Sequence, residues 1–577
     1  MFSNHYTAAD DAYRALLQRA PRSAGAHAQY ALFLNYRHRF DSARSEAAKA
    51  VSLDPHDGLA AAVLCRVDDW SQLLPDAMSA GRKAVQAAPA EPLAHLFLSE
   101  ALGDSGDVSG AQKEIDAAGR LIEQRPTAYL RAERAREEAN LAGDRGDQKA
   151  QLTAFQAAHD AQPQWLYRAI ELVDAELNAK DTQAAQRVLD AAAGQSPDDV
   201  ETLEILGEDA FFAGDAAALV TIWSKAVVLA PRDPRVLEMA GAMQVAAKQD
   251  INAAVADFQA ALTFDTRDFQ AAAYIMAIAR YIQHDEARGR AAIADAVTAA
   301  ADNAPHGRHP VVPDPDTLWS AHASLALDAV NTARAATGLP PVTLDPQLSA
   351  SAESHSFYWL FNNISPSVAD LGIHQETPGL LGYSGRYPWT RGPVFGYTGA
   401  HVGEDITHHG DPVGAVGDWV SSVFHRFAIM RPDLVTIGYG EGEIGTLQME
   451  DMEFGFGSSF PTTAVVYPGD GQKKVPATFV DNELPDPVPS GQPRITGYPV
   501  TATFQPSASA QVTSFSLTGP DGSAVDAYQL TPSGETENSA SLLPALPLIP
   551  ATAYTAHIVA TVNGKVYDHT WSFTTAG

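Results

Sequence analysis

Apolar positions along the chain follow a helical period first and a period of two last, with a mixed stretch between. Up to about residue 303, Ala, Leu and other apolar residues recur at the spacing of amphipathic helices. Prolines punctuate this stretch at Pro21, Pro55, Pro89, Pro126, Pro163, Pro197 and Pro231, at intervals of 34, 34, 37, 37, 34 and 34 residues. Each follows a helix-like run and precedes a new one, as in Ser52-Leu53-Asp54-Pro55-His56-Asp57. Proline stops one helix and starts the next. The pattern predicts an array of helical pairs over 1–303, with the 37-residue intervals as three-residue insertions in turns. Residues 304–316 hold four prolines in thirteen positions, which predicts a semi-rigid linker with solvated His306 and His309. Next comes an amphipathic helix from Leu325, closed by Gly338 and Pro340-Pro341, and a second helix opened by Asp345-Pro346. From about Val465 the rhythm turns to short alternating runs: Val465–Tyr467, Val500–Phe504, Val512–Leu517, Ala556–Val562 and Trp571–Thr575. Asn563-Gly564 is a two-residue hairpin signal between the last two, and the set predicts a β-sandwich over 464–577.

Length and charge narrow the picture. At 577 residues the chain is too long for one core. With 70 acidic against 39 basic residues the formal charge is −31, which repels phosphate backbones and argues against nucleic acid as a partner. No apolar run reaches the roughly 18 residues that span a bilayer. Met1-Phe-Ser-Asn-His-Tyr has neither a basic nor an apolar signal region, so no signal peptide is expected in this chain. Cys65 is the single cysteine, set in an Ala/Leu/Val run, and reads as a small buried apolar residue.

Candidate chemistry concentrates in the middle. His374, Glu404 and His425 are residue types that bind a divalent cation or shuttle a proton if they converge on one cleft. His401, His408 and His409 flank Glu404 as rival ligands or as solvated loop residues. Glu450, Asp451 and Glu453 are exposed strand residues, or one of them completes the site. Gly440-Glu441-Gly442-Glu443-Ile444-Gly445 fits G-x-G-x-x-G formally. It leads into a strand-like run and carries two glutamates, so it reads as turn and strand rather than a phosphate cradle. No nucleophile motif stands out.

Three resemblances follow. The 34-residue period, with Leu206-Gly207, Trp223, Ala226 and Pro231 in one unit and Ala240-Gly241, Phe258 and Ala261 in the next, resembles the tetratricopeptide repeat. About eight units fit. That resemblance implies an α-solenoid whose concave surface holds a peptide or protein, or alternatively a spacer or assembly surface. Residues 317–462 resemble the bacterial SCP-like branch of the CAP superfamily. The likeness rests on Asn331-x-x-Arg334-x-x-x-Gly338-Leu-Pro-Pro, Asp345-Pro346, His355, Asn362-Asn363, His374, Gly382-Tyr383-Ser384-Gly385, Gly403-Glu404-Asp405-Ile406 and Asp411-Pro412. It continues through Trp419, Ser422, His425-Arg426 and Ile437-Gly438-Tyr439-Gly440. This resemblance implies an α+β, α-β-α sandwich with a cleft where His374, Glu404 and His425 face a divalent cation, most often zinc. Asp405 replaces the family's usual Asn, Ser422 stands near the place of its second Glu, and its W-T-Q strand motif is absent. The C-terminal strands resemble bacterial Ig-like domains. Together the resemblances imply an extracellular or cell-surface interaction protein. Two other readings stay open: a self-assembling structural subunit, and a metal-assisted hydrolase with the same three residues.

Overall fold

The computed structural model describes residues 6–37, 39–71, 73–105, 107–145, 147–179, 181–195, 200, 203, 206–207, 210, 216–248, 250–303, 313–362, 371–399, 402–444, 447–458, 462–480, 483, 485–490, 492, 495–533 and 538–576. Pro197, His306, His309, Asn363, His401 and Gly445 lie outside the described residues. The chain divides into two compact units, residues 1–276 with 285–313, and residues 277–284 with 314–577.

The first unit is built of helical pairs. Ala24–Tyr36 packs on Phe40–Leu53, Gly58–Trp70 on Leu74–Ala87, and Pro92–Asp104 on Val108–Gln124. Pro21, Pro55, Pro89 and Pro231 sit in turns between pairs, as their lack of an amide N–H requires. A Cβ on Gly207 would come within 3.0 Å of Trp223, and one on Gly241 within 3.0 Å of Phe258, so glycine lets these helices close on the aromatic rings. The 37-residue intervals correct the expectation of longer turns. The extra residues lengthen helices: Val108–Gln124 and Ala128–Asp144 have 17 residues each, against 14 in Phe40–Leu53 and 13 in Gly58–Trp70. Three or four residues are about one helical turn, so the apolar stripe keeps its facing. Cys65 is fully buried.

Buried charge stitches these repeats together. Arg66 meets Glu100 and Glu137, each at 2.6 Å, and Arg136 meets Glu100 at 2.7 Å and Glu171 at 2.6 Å. Arg168 pairs with Glu133 and with Glu171. Arg37 pairs with Asp233, 196 positions away. His27 and His95 repeat one arrangement two units apart: Nδ1 on a glutamate (Glu46 at 2.5 Å, Glu114 at 2.6 Å) and Nε2 on the turn proline's carbonyl (Pro21 at 3.0 Å, Pro89 at 3.1 Å).

In the second unit a four-stranded sheet of order β1-β3-β4-β2 lies between helical layers. Its strands are β1 (Thr343–Leu344), β2 (Val402–Thr407), β3 (Leu434–Ile444) and β4 (Leu447–Phe456). The helix Pro346–Asn362 covers one face. It comes very close because Gly438 and Gly440 present no side chain: a Cβ on Gly440 would lie 1.9 Å from Glu353 N, and one on Gly438 2.2 Å from Leu348 C. Gly440 and Gly442 of the formal G-x-G-x-x-G are in β3, as the sequence reading expects. The helices Pro315–Ala335 and Pro412–Ser421 pack over the opposite face on Ile437, Tyr439, Met452 and Phe454. The helix Pro315–Ala335 starts inside the stretch read as linker.

The quoted motif residues hold this layering. Asn331 exchanges two hydrogen bonds with the backbone of Val342, donating to its O at 3.1 Å and accepting from its N at 2.8 Å. Arg334, fully buried, donates to the carbonyls of Pro340, Ile429 and Arg431. Burial lowers its guanidinium to about 10, against the pull of Asp433.

Residues 464–576 are β-rich. Strands β10 (Ala510–Thr518), β13 (Ala553–Val562), β14 (Lys565–Thr575) and β6 (Gln472–Val475) form one four-stranded sheet. Strands β11 (Ala527–Leu530), β12 (Ser539–Pro544), β9 (Val500–Phe504) and β5 (Ala464–Tyr467) form another, and β7 (Thr478–Val480) pairs with β8 (Ile495–Gly497). The predicted Asn563-Gly564 hairpin joins β13 to β14, with φ of +50° and +77° at its two residues. Pairing is mixed, since β14 runs parallel to β6. One continuous apolar core runs from Ala323 through Trp419 and Phe454 to Phe504, Ile558 and Phe573.

Candidate functional site

The cleft is built on the helix-covered face of the sheet. Glu404 on β2 stands opposite Glu453 on β4, and both turn toward the helix Pro346–Asn362, where Ser351 Oγ donates to Glu453 at 2.8 Å. His374 closes a short 3-10 turn, Leu371–His374. Its Nδ1 lies 2.9 Å from Glu404 Oε2, and its side chain is 29% exposed, against 1% for Glu404. The sequence reading brings these two together, and the structure does so. Glu404 Oε1 is held by the guanidinium of Arg391, which also donates to His374 O at 3.3 Å and lies 3.5 Å from Glu453. The short helix Pro388–Arg391 aims Arg391 inward while Trp389, two residues earlier, stays exposed.

His425 goes elsewhere. Its Nδ1 lies 3.0 Å from Glu483 Oε1 and 3.2 Å from Ser422 Oγ. Glu483 also accepts the backbone N–H groups of Val423, Phe424 and His425, at 2.7, 2.5 and 3.0 Å. Ser, His and Glu are therefore adjacent, but both oxygens converge on the same ring nitrogen. A serine activated by a His/carboxylate pair needs the hydroxyl on one nitrogen and the carboxylate on the other. Ser422 is also buried and donates to Trp419 O at 2.9 Å, so it is not a positioned nucleophile.

Several residues that sequence reasoning passed over complete the cluster. His355 Nδ1 lies 3.1 Å from Glu376, and its Nε2 is 2.9 Å from Ile373 O and 3.7 Å from Glu404. Glu376 is cradled by the Gly382–Gly385 motif: it accepts from Ser384 N at 2.6 Å, Gly385 N at 3.0 Å and the Ser384 hydroxyl. The motif is thus a carboxylate holder. Glu450, Asp451 and Glu453 are buried, which sets aside the reading of them as exposed strand residues and leaves the other, in which one of them joins the site. The helix Pro346–Asn362 covers Asp451 and Glu453, whereas Glu450 lies on the other face of β4, where the His409 and Gly410 amides hold it. His355, Glu404 and Asp451 offer one donor atom each within 4.8 Å of one another, the metal-capable group among the described residues. His408 Nδ1 donates to Gln448 O, 2.5 Å away, and His409 lies 3.0 Å from Asp411.

Four carboxyls thus face one guanidinium, and they do not all ionise together. Burial opposes the charge of Glu404, but Arg391, His355 and His374 overcome it and draw its carboxyl down to about 2. Burial and the Glu404 charge push Glu453 up to about 8 despite Arg391. Asp451 is pushed well above the usual carboxylate range by burial, Glu404 and Glu453. Interaction with the Glu404 side chain adds to that rise. The cluster is the Arg391–Glu404 ion pair beside two buried carboxyls, Asp451 and Glu453, whose ionisation burial opposes, with His374 as its face to solvent.

Residues 327–446 match the model of the cysteine-rich secretory protein (CAP) family. Comparison with the curated proteins finds no match. Among solved structures, the chain is similar to a tetratricopeptide repeat protein from Parabacteroides merdae, at 10% identity over 41% of this chain and 91% of that one, with a TM-score of 0.29. It is also similar to the Cut9–Hcn1 assembly of the APC/C, at 16% identity and a TM-score of 0.29, over 41% of this chain and 46% of that one. A third is Pseudomonas aeruginosa pilF, at 16% identity over 36% and 92% of the two chains, with a TM-score of 0.26.

Proposed function

We propose that this is an extracellular or cell-surface interaction protein whose helical repeats engage a protein or peptide. In this reading its CAP-like cleft holds a divalent cation, zinc by its donor set, and the β-rich C-terminal part is an Ig-like spacer. The observation that carries a binding role over a catalytic one is the Glu404 knot. Its carboxylate is locked between Arg391 and His374, and Ser422 and His425, paired with each other and with Glu483 rather than with Glu404, lack the geometry of a nucleophile and base.

The donors fit a cation in part. His374 and Glu404 are in contact and His374 is accessible, while His425 could join only through Nε2, since Nδ1 is taken. A second set, His355, Glu404 and Asp451, is deeper, and each His355 ring nitrogen already faces an oxygen. Bound zinc would supply a Lewis-acidic centre. Zinc titration by calorimetry on wild type, His374→Ala, His425→Ala and Asp451→Asn separates the sets. Binding lost in His374→Ala and kept in Asp451→Asn is expected; identical heats in all four proteins would remove the cation from the account.

A further inference from the structure

A cavity of about 630 Å³ lies in the second unit, away from Glu404 and within the size range of ligand pockets, about 300–1,000 Å³. One wall is the turn 336–340 that ends the helix Pro315–Ala335. Another is residues 462–466, and Tyr567 and His569 of β14 form a third. Gly469 pins the walls together, since a Cβ there would come within 1.9 Å of Ala336 O.

Residues 464–466 belong to β5, which has a partner strand on one side only among the described residues. The direction of its backbone groups follows from β9. Phe504 N donates to Asn538 O on the β12 side. Alternation along an antiparallel strand then turns Thr503 and Thr501 toward β5, where they pair with Val465 and Tyr467. Ala464 and Val466 are therefore left with N–H and C=O directed at the open edge, Ala464 O being met by the Thr462 hydroxyl at 3.1 Å. Beside this edge, the ring of His569 stacks on buried Trp571 at 5.5 Å and packs against Tyr567 at 5.8 Å, an aromatic floor that rises out of the core into the cavity. Asp470 lines the same cavity, and no Lys or Arg does among the described residues.

An edge with free main-chain donors and acceptors, set in a walled slot, is the site type that an extended peptide fills by strand addition. We propose that this cavity binds an extended peptide carrying a basic side chain, which joins β5 as an added strand and places its cation at Asp470. The repeats of the first unit do not enter into this binding.

Val466→Pro removes the outward N–H and leaves every bond to β9 in place, a substitution that edge strands tolerate. A phage library of random ten-residue peptides, first depleted on the Val466→Pro protein and then selected on the wild-type full chain, tests the edge apart from the repeats. Surviving peptides with a recurrent Lys or Arg are expected, binding Val466→Pro at least about tenfold more weakly. Asp470→Asn is expected to lower the preference for the basic residue. If no peptide survives the depletion, the proposal fails. A second arm needs no variant: the selected peptide with N-methylated backbone amides is expected to lose binding to wild type, and equal binding by the methylated peptide overturns strand addition.

Discussion

Arg391 sets the charge balance of the cleft. Its guanidinium is fully buried and neutralises Glu404, with Glu453 and Glu376 within 4 Å. Removing one partner from a buried pair strands the other in low dielectric, which costs about 3–5 kcal/mol. Arg391→Ala is therefore expected to lower the urea stability of the second unit by that amount, with Arg391→Lys falling between because lysine lacks the planar fork. Glu450 tests the buried acids. Burial raises its carboxyl to about 7, against the pull of the His409 and Gly410 amides. Between about 4.3 and 7 the folded protein keeps a proton that the unfolded chain has released, so stability is full in acid and falls as pH rises through 7. Glu404 has the opposite sign, but its loss begins only below about pH 4. Melting curves at pH 5 and pH 8 should show the second unit weakening toward pH 8, and less so in Glu450→Gln; parallel curves would clear Glu450 of any part. His374 and Glu404 were legible in the sequence because their residue types announce ligand or proton chemistry. Asp451 was one of three acidic candidates that the sequence could not choose between, because nothing along the chain says that a helix will cover its face of β4; Arg391 and Glu376 were not legible, because only the fold brings them to Glu404.

At the scale of elements, close approach decides the sandwich. The helix Pro346–Asn362 lies so near β3 that any side chain at Gly440 meets backbone, which cannot swing aside as a flexible side chain would. Overpacking of this kind costs about 1–3 kcal/mol. Gly440→Ala is expected to reach at least the upper end, read as a lower urea midpoint with unchanged slope, whereas Gly338→Ala, where no atom lies within 4 Å, costs only its left-handed backbone (φ +72°). A smaller loss in Gly440→Ala than in Gly338→Ala would contradict the packing argument. The start of the helix Pro346–Asn362 was visible in advance, because Asp345 Oδ1 caps it by accepting from Gln347 N and Leu348 N. Strand β9 and the β13–β14 hairpin were visible too, because alternation and Asn-Gly are local signals. Strands β11 and β12 were missed: β11 is only four residues long, and the Ser-Ala-Ser-Leu alternation of β12 breaks at Leu543-Pro544. The 37-residue intervals were misread for a related reason, since a whole added turn leaves the helical period intact.

For the molecule as a whole, the change of rhythm near residue 464 is visible in the sequence, but the core continuing across it is not. Arg426, from the His-Arg pair of the CAP-like motif, donates to Pro499 O at 2.6 Å and lies 4.8 Å from the ring centroids of both Tyr467 and Tyr498. Glu483 caps the helix Phe424–Ile429, and Tyr498 OH donates to Val420 O at 3.3 Å. Residues on the CAP-like side thus have their partners beyond 464. A chain ending at residue 463 would leave Arg426 with the carbonyls of Val420 and Ser421 but without Pro499 O and the two tyrosine rings, and would expose Val420 and Ile429, which share the core with the C-terminal sheets. Such a truncation is expected to keep the helical circular dichroism of the repeats but to lose the cooperative unfolding of 314–463, with rapid trypsin cleavage inside that region. The full chain should protect it. If the truncated chain resists trypsin there as well as the full chain does, the shared core is dispensable, and the CAP-like region stands as an autonomous domain with the β-rich part as its appendage.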